Sequence, residues 1–227
     1  MGLAAVTPTE YNISVFETHE DLVSASTDWI AGRIKAAISK RGMANLALSG
    51  GSTPKPVYAA LSRCDLLWES VWATLVDDRL TDDPSGSNAV MVNELLKQNK
   101  ARKMIFRALK PEAGAQPQFD VAIVGMGTDG HTASWFPGSR DIQRVLDPKS
   151  NDAVQVIDAA GCPGAGNYPK RITLSLPALM NSRDVLLLIT GAEKLKVFEQ
   201  SAQMSVYDAP VKALRAAGPR LTVMWAP

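Results

Sequence analysis

Strand-like and helix-like stretches alternate along the whole chain, which predicts an α/β fold built on a mostly parallel sheet with helices on both faces. Three observations carry this expectation. Short apolar runs such as Val71 to Val76 and Phe119 to Ile123 are separated by segments with helical periodicity. Two of the apolar runs end abruptly in Gly-rich turns, at Ser49 to Pro54 and at Gly125 to Gly130. No internal repeat, low-complexity tract or linker interrupts the alternation, so residues 1–227 read as a single domain.

The elements follow in order. Tyr11 to Phe16 alternates and reads as the first strand. Thr18 to Lys40 is a long helix: Leu22, Ala25, Trp29, Ile30, Ile34, Ala37 and Ile38 recur at helical spacing, and Gly42 is a natural stop. Asn45 to Leu48 is a short strand that runs into Ser49-Gly50-Gly51-Ser52-Thr53-Pro54, with a helix from Lys55 to Arg63. Glycines let the main chain approach a ligand, and hydroxyls beside free helix-start N–H groups bind an anion. An ordinary helix cap would also use Ser52 or Thr53, but it does not need Gly50 and Gly51 as well. The loop lacks the Gly-Lys-Ser/Thr ending of an ATP-binding loop.

Val71 to Val76 is the next strand, and its exit carries Asp77-Asp78-Arg79. Those charges suit either a site at the sheet edge or the start of a solvated loop. Ser87 can cap a helix through Leu96, and Met104 to Ala108 is a weak strand. Pro111 to Gln118 is a connection. Phe119 to Ile123 is a buried strand running into Gly125-Met126-Gly127-Thr128-Asp129-Gly130-His131, where an acid and an imidazole meet a sharp turn. The plain alternative is a tight turn alone. A dinucleotide-binding turn would lead into a long amphipathic helix, but here a Pro-terminated segment follows. Ala153 to Ile157 is a strand, and Gly161 to Pro169 reads as a mobile loop. Arg171 to Leu176 alternates, with Arg171 at its start, and Pro177 to Asn181 opens a helix. Asp184 to Ile189 is an apolar strand, and Lys194 falls in the first turn of the next helix. A cation there opposes the helix dipole, which suits an offsetting ligand anion or a plain exposed lysine. Val211 to Ala217 is a short helix and Leu221 to Trp225 the last strand.

Composition narrows the function classes. Hydrophobic content of 46% and a formal charge of +1 suit a globular protein and mark neither a nucleic-acid nor a membrane binder. Residues 1–10 lack the basic and apolar regions of a secretory leader, and Val185 to Ile189 is too short to span a bilayer. Cys64 and Cys162 have no metal-ligand spacing and read as reduced thiols, with a single bridge as the alternative. The expectation is a cytoplasmic protein.

Taken together, Ser49 to Pro54, Asp77-Asp78-Arg79 with Ser87-Asn88, Gly125 to Ser134 with Phe136-Pro137-Gly138, Arg171 to Leu174, and Thr190-Gly191 with Lys194 resemble the 6-phosphogluconolactonase family, in its order and over most of the chain. The resemblance implies a Rossmann-like sheet of the sugar-phosphate isomerase/deaminase type. It implies hydrolysis of 6-phospho-D-glucono-1,5-lactone to 6-phosphogluconate in the oxidative pentose phosphate pathway. This chain has Asp78 where Glu is usual and Trp135 where Leu is usual; the tryptophan is expected to reshape one wall of the pocket.

On that reading His131 is the general base, because imidazole titrates near neutral pH, and Asp129 or Asp77 assists it. Gly50, Gly51, Ser52 and Thr53 would hold the phosphate with Arg171 and Lys194, and Arg79 would bind phosphate or the developing oxyanion. No metal or cofactor is expected. The partner is a small phosphosugar lactone, not nucleic acid or membrane, and the assembly is a monomer or small homo-oligomer. Two rival readings are a glucosamine-6-phosphate deaminase or isomerase and a non-catalytic sugar-phosphate sensor. The deaminase resemblance implies Asn-Glu-Pro where Trp135-Phe136-Pro137 stands.

Overall fold

The computed structural model describes residues 11–112 and 114–227. Residues 1–10, where no leader is expected, and Ala113 in the expected connection lie outside the described residues. Strand β1 (Asn12–Val15) leads into α1 (His19–Arg41). The Thr18 hydroxyl caps α1 by accepting from the Asp21 N–H, and Gly42 ends it in the left-handed region at φ 77°. Strand β2 (Ala44–Leu48) gives way to α2 (Pro54–Leu61), whose first residue is a proline, as suits a position with no amide to satisfy. Strand β3 (Val71–Leu75) follows.

The next three residues depart from expectation. Asp77–Arg79 do not start a loop; they form a short strand, β4. Helix α3 (Asn88–Leu95) comes next, with β5 (Ile105–Phe106) two residues long, and then β6 (Phe119–Val124). The short helix α4 (Ile142–Val145) precedes β7 (Val154–Asp158) and β8 (Lys170–Leu174). Helix α5 (Leu176–Met180), β9 (Ser182–Thr190) and α6 (Ala192–Gln200) follow. The expected short helix near 211–217 is a 3-10 segment over Pro210–Arg220, broken at Gly218, and β10 (Leu221–Ala226) ends the fold.

Seven strands form one parallel sheet in the order β1-β10-β9-β6-β2-β3-β5. All six residues of β6 are buried, so both faces of the sheet are covered at its centre. From β2 the chain steps outward through β3 to β5; it then returns to β6 beside β2 and steps the other way to β9 and β10. The connections diverge between β2 and β6. Ligand sites of open α/β sheets lie at such a switch point, at the carboxyl ends of the strands. Both Gly-rich loops leave from there.

A second sheet was not apparent from strand patterning. Strands β4, β8 and β7 pair antiparallel, with Arg79 opposite Arg171 and Asp77 opposite Thr173. Its effect is to bring the charged exit of β3 against Arg171. The far end of the main sheet is closed by Asp120, whose buried carboxylate accepts from the Asn45 N–H at 2.8 Å and pairs with Arg41 and Arg183. Cys64 and Cys162 are both free. Among the described residues no helix is long and apolar enough to cross a membrane.

Candidate active site

A cavity of ≈ 260 Å³ opens at the switch point. Its lining includes Gly50, Gly51, Ser52 and Thr53 from the first Gly-rich loop and Gly125, Met126, Gly127 and His131 from the second. Asp77, Arg79, Arg171 and Lys194 face the same space. Of the residues given a catalytic or binding role from sequence, Asp129 alone does not line it. It stands behind the imidazole.

The first loop ends β2 and starts α2. Among the described residues, none of the N–H groups of Gly50, Gly51, Ser52 and Thr53 donates to a protein acceptor. Thr53 makes no side-chain cap to its own helix. Its hydroxyl lies 3.4 Å from that of Thr190 instead. A run of unanswered amides at a helix start is a seat for an anion. Gly50 is required sterically, because a Cβ there would lie 1.8 Å from Asn88 Oδ1.

The second loop turns at Gly130, with φ 80°, and closes on itself through the Gly127 N–H donating to the His131 carbonyl at 2.9 Å. That turn brings Asp129 back onto its neighbour. Asp129 Oδ1 lies 2.5 Å from His131 Nδ1 and also accepts the His131 backbone N–H at 3.1 Å. Two residues of separation left this contact open at the sequence level; the left-handed glycine makes it possible. Burial raises the Asp129 carboxyl, but the hydrogen bonds and charge of His131 outweigh it and hold the group below the usual carboxylate range. With Nδ1 engaged, Nε2 is the ring nitrogen left to meet a ligand. The ring rests against Phe136 at 4.6 Å between centroids. Phe136 and Trp135 are fully buried and anchor the segment, each by about 1.5–3 kcal/mol.

Asp77 occupies a different place. Its Oδ2 accepts from the Ser134 hydroxyl at 2.6 Å and lies 3.8 Å from Arg171 Nη1; no hydrogen bond joins it to His131. Asp129, not Asp77, is therefore the carboxylate that touches the imidazole. Arg171, in β8, is buried. It is 5% exposed, donates from Nε to the Tyr168 carbonyl at 2.5 Å and from Nη2 to the Ala165 carbonyl at 2.8 Å, and stacks over Phe136. Burial lowers its pKa, with Asp77 opposing that effect. Arg79 donates from Nη1 to Asn88 Oδ1 at 2.7 Å and to the Gly86 carbonyl at 3.1 Å, while its buried Nε has no protein partner. Lys194 makes no ion pair among the described residues.

This geometry can seat an anion at one end and present a buttressed imidazole at the other. The sequence pattern shared by proteins described as glucosamine-6-phosphate isomerases/6-phosphogluconolactonase matches residues 17–225. The chain belongs to this family. Within the family it is 35% identical to a 6-phosphogluconolactonase of Rhizobium meliloti, across 95% of this chain and 99% of the relative. A 6-phosphogluconolactonase of Xylella fastidiosa is 37% identical across 83% of this chain and 84% of its own length. The crystal structure of a 6-phosphogluconolactonase from Shewanella baltica superposes with a TM-score of 0.88 at 32% identity, covering 97% of this chain and 99% of that one. A monomeric glucosamine-6-phosphate deaminase, at 21% identity and a TM-score of 0.70, shares the fold.

The two departures from the lactonase family pattern now have physical readings. Asp78 accepts the N–H groups of Arg79, Asn88 and Ala89 and the Ser87 hydroxyl, so it caps α3 rather than facing ligand. Trp135 does not reshape the pocket wall. It is wholly buried, and its Nε1 donates to the Leu174 carbonyl at 2.9 Å, which ties the second loop to β8. Ser134, which holds Asp77, Phe136, which backs the imidazole, and Gly164, which also lines the cavity, were not singled out from sequence. Ser134 and Phe136 lie inside the family motif and could have been flagged by position. Gly164 sits in a Pro/Gly loop with no signal beyond composition.

Proposed function

We propose that this cleft hydrolyses 6-phospho-D-glucono-1,5-lactone to 6-phosphogluconate. One observation carries the reading: the unanswered amides of residues 50–53 and the His131 ring line the same cavity. The 6-phosphate sits on those amides with Lys194 and Arg171, which brings C1 toward His131. Orientation of that kind contributes several kcal/mol to a barrier. His131 Nε2 takes a proton from water as the water oxygen bonds to C1. The carbonyl electrons move to oxygen, and Arg79 stabilises the oxyanion. When the C1–O5 bond breaks, Nε2–H returns the proton to O5, which leaves as the C5 hydroxyl. Asp129 fixes the ring so that Nδ1 carries the proton and Nε2 the lone pair, and it balances the imidazolium.

Relatives that carry the lactonase name, at 35–37% identity, support this reading over the deaminase and sensor alternatives. The test compares freshly generated 6-phosphogluconolactone with unphosphorylated glucono-1,5-lactone, each corrected for spontaneous opening. The phosphorylated substrate should be favoured by about 10²-fold or more in kcat/KM, because remote binding energy is spent at the reacting centre. Equal rates on the two lactones would overturn the assignment of the 50–53 loop.

A further inference from the structure

The segment after β7 runs over the outer side of the Asp129–His131 pair. Composition predicts a mobile loop over Gly161 to Pro169, but the segment is held in place. Cys162 N–H donates to the Ala159 carbonyl, Ala165 N–H to Cys162, Gly166 N–H to Pro163 and Tyr168 N–H to Ala165, all at 3.0–3.3 Å. Arg171 then grips the carbonyls of Ala165 and Tyr168 from below. The Tyr168 hydroxyl reaches Asp83 Oδ2 at 2.5 Å, and its ring packs so closely on Gly86 that a Cβ there would come within 2.8 Å. The strap is thus fastened to β8 by one residue and to the 81–86 loop by another.

At its middle, Gly164 meets the catalytic pair. A Cβ on Gly164 would lie 2.2 Å from Asp129 Oδ2, 3.1 Å from Asp129 Cγ and 2.8 Å from His131 Nδ1. Gly127 is equally close, since its Cβ would lie 2.3 Å from His131 Nδ1 and 2.6 Å from Asp129 Oδ1. The acid and the imidazole are therefore approached by two backbone segments that carry no side chains there. Gly127 belongs to the loop that makes the pair. Gly164 comes from a distant part of the chain and takes no part in forming the turn.

We infer that Gly164 is a positioning residue for the Asp129–His131 pair: its bare Cα lets the strap close on the carboxylate and keep it in line with Nδ1. The inference rests on the reading of His131 as the base. The φ of Gly164 is not in the left-handed region, so alanine meets no backbone strain there. The closest clash, at 2.2 Å, falls on a carboxylate, the end of a side chain, which yields more readily than the strap; the lesser one, at 2.8 Å, falls on His131 Nδ1. Asp129 then rotates away from Nδ1, and the ring loses the partner that fixes its tautomer.

The experiment is a double-mutant cycle on the full chain with Gly164→Ala, Asp129→Ala and the pair, measured in lactone hydrolysis and thermal unfolding. Gly164→Ala should lower kcat at least 10-fold with KM changed less than 3-fold. In the Asp129→Ala background, where the closest contact is gone and only the 2.8 Å approach to His131 Nδ1 remains, the same substitution should lower kcat less than 3-fold. The NMR signal of the His131 Nδ1 proton, held by the carboxylate, should vanish in Gly164→Ala while the other imino and indole signals persist. If Gly164→Ala fails to fold, the double variant should recover the Tm of Asp129→Ala, which reads the same contact. Equal losses of kcat in both backgrounds, or full kcat in Gly164→Ala, would overturn the inference. A His131→Ala enzyme with undiminished kcat would instead sink the base assignment and leave the Tm cycle to judge the contact alone.

Discussion

Replacing Asp129 by Asn tests the buttress of the imidazole without removing its shape. Asparagine keeps an oxygen that can accept from the ring or from the His131 N–H, but it removes the charge that balances an imidazolium. The pair lies at 2.5 Å, with side chains 23% and 30% exposed. Unit charges about 4 Å apart interact by ~1 kcal/mol in water and ~4 kcal/mol at an effective dielectric constant of about 20. Partial exposure places this pair between those limits, and solvent screening trims the upper one. A charged hydrogen bond of this kind contributes about 1.5–3 kcal/mol. At about 1.4 kcal/mol per decade, kcat should fall about 10- to 150-fold. That is well short of the ~10⁴-fold loss seen when a buried triad aspartate is changed to asparagine, because this carboxylate is partly wet. The assay is initial-rate hydrolysis of fresh 6-phosphogluconolactone with the spontaneous rate subtracted. A variant that keeps more than half of kcat, or that changes KM alone, would refute the reasoning.

Three further outcomes follow from the same contacts. Lys194→Ala should raise KM about 10-fold or more with Tm moved by less than about 2 °C, since it makes no ion pair among the described residues. Arg171→Ala should raise KM and also cost about 2–5 kcal/mol in urea unfolding, because two buried carbonyl contacts lose their donor; unchanged stability would contradict its gripping role. Asp78→Asn should cost about 1–2 kcal/mol through the weakened start of α3 while kcat/KM stays within about 3-fold, and a collapse of turnover at full stability would instead place Asp78 in the chemistry. Asp129 also carries a pH signature. Its folded-state pKa is depressed, so its stabilising contribution is complete above the unfolded value of about 3.9 and lost as pH falls through the folded one. The stability gap between wild type and Asp129→Asn should therefore be full above about pH 5 and narrow as pH falls below about 4, and a gap that widens on acidification would contradict the depressed carboxyl.

The main sheet was legible because its evidence is local. Runs such as Val121 to Val124 and Val185 to Ile189 are apolar on both faces, which only a covered parallel sheet requires. The helix stop at Gly42 and the proline start at Pro54 were legible for the same reason. The second sheet was not, because Asp77-Asp78-Arg79 has no strand propensity and becomes a strand only by pairing with Arg171 nearly a hundred residues away. Burial of Arg171 could not be read either: its partners are main-chain carbonyls, which every sequence supplies. The site split along the same line. Its two loops announced themselves by glycine, hydroxyl, acid and imidazole. Choosing Asp129 over Asp77 needed coordinates, since the choice depends on how Gly130 folds the chain back. Trp135 misled because a large aromatic beside a motif suggests a pocket wall, while its indole N–H was satisfied from behind by Leu174.

Lactone opening turns on the imidazole at position 131. Turnover of 6-phosphogluconolactone by His131→Ala should drop about 10²-fold or more, the scale of lost general-base help, while the fold survives by circular dichroism. Wild-type turnover from that variant would show that some other group opens the lactone.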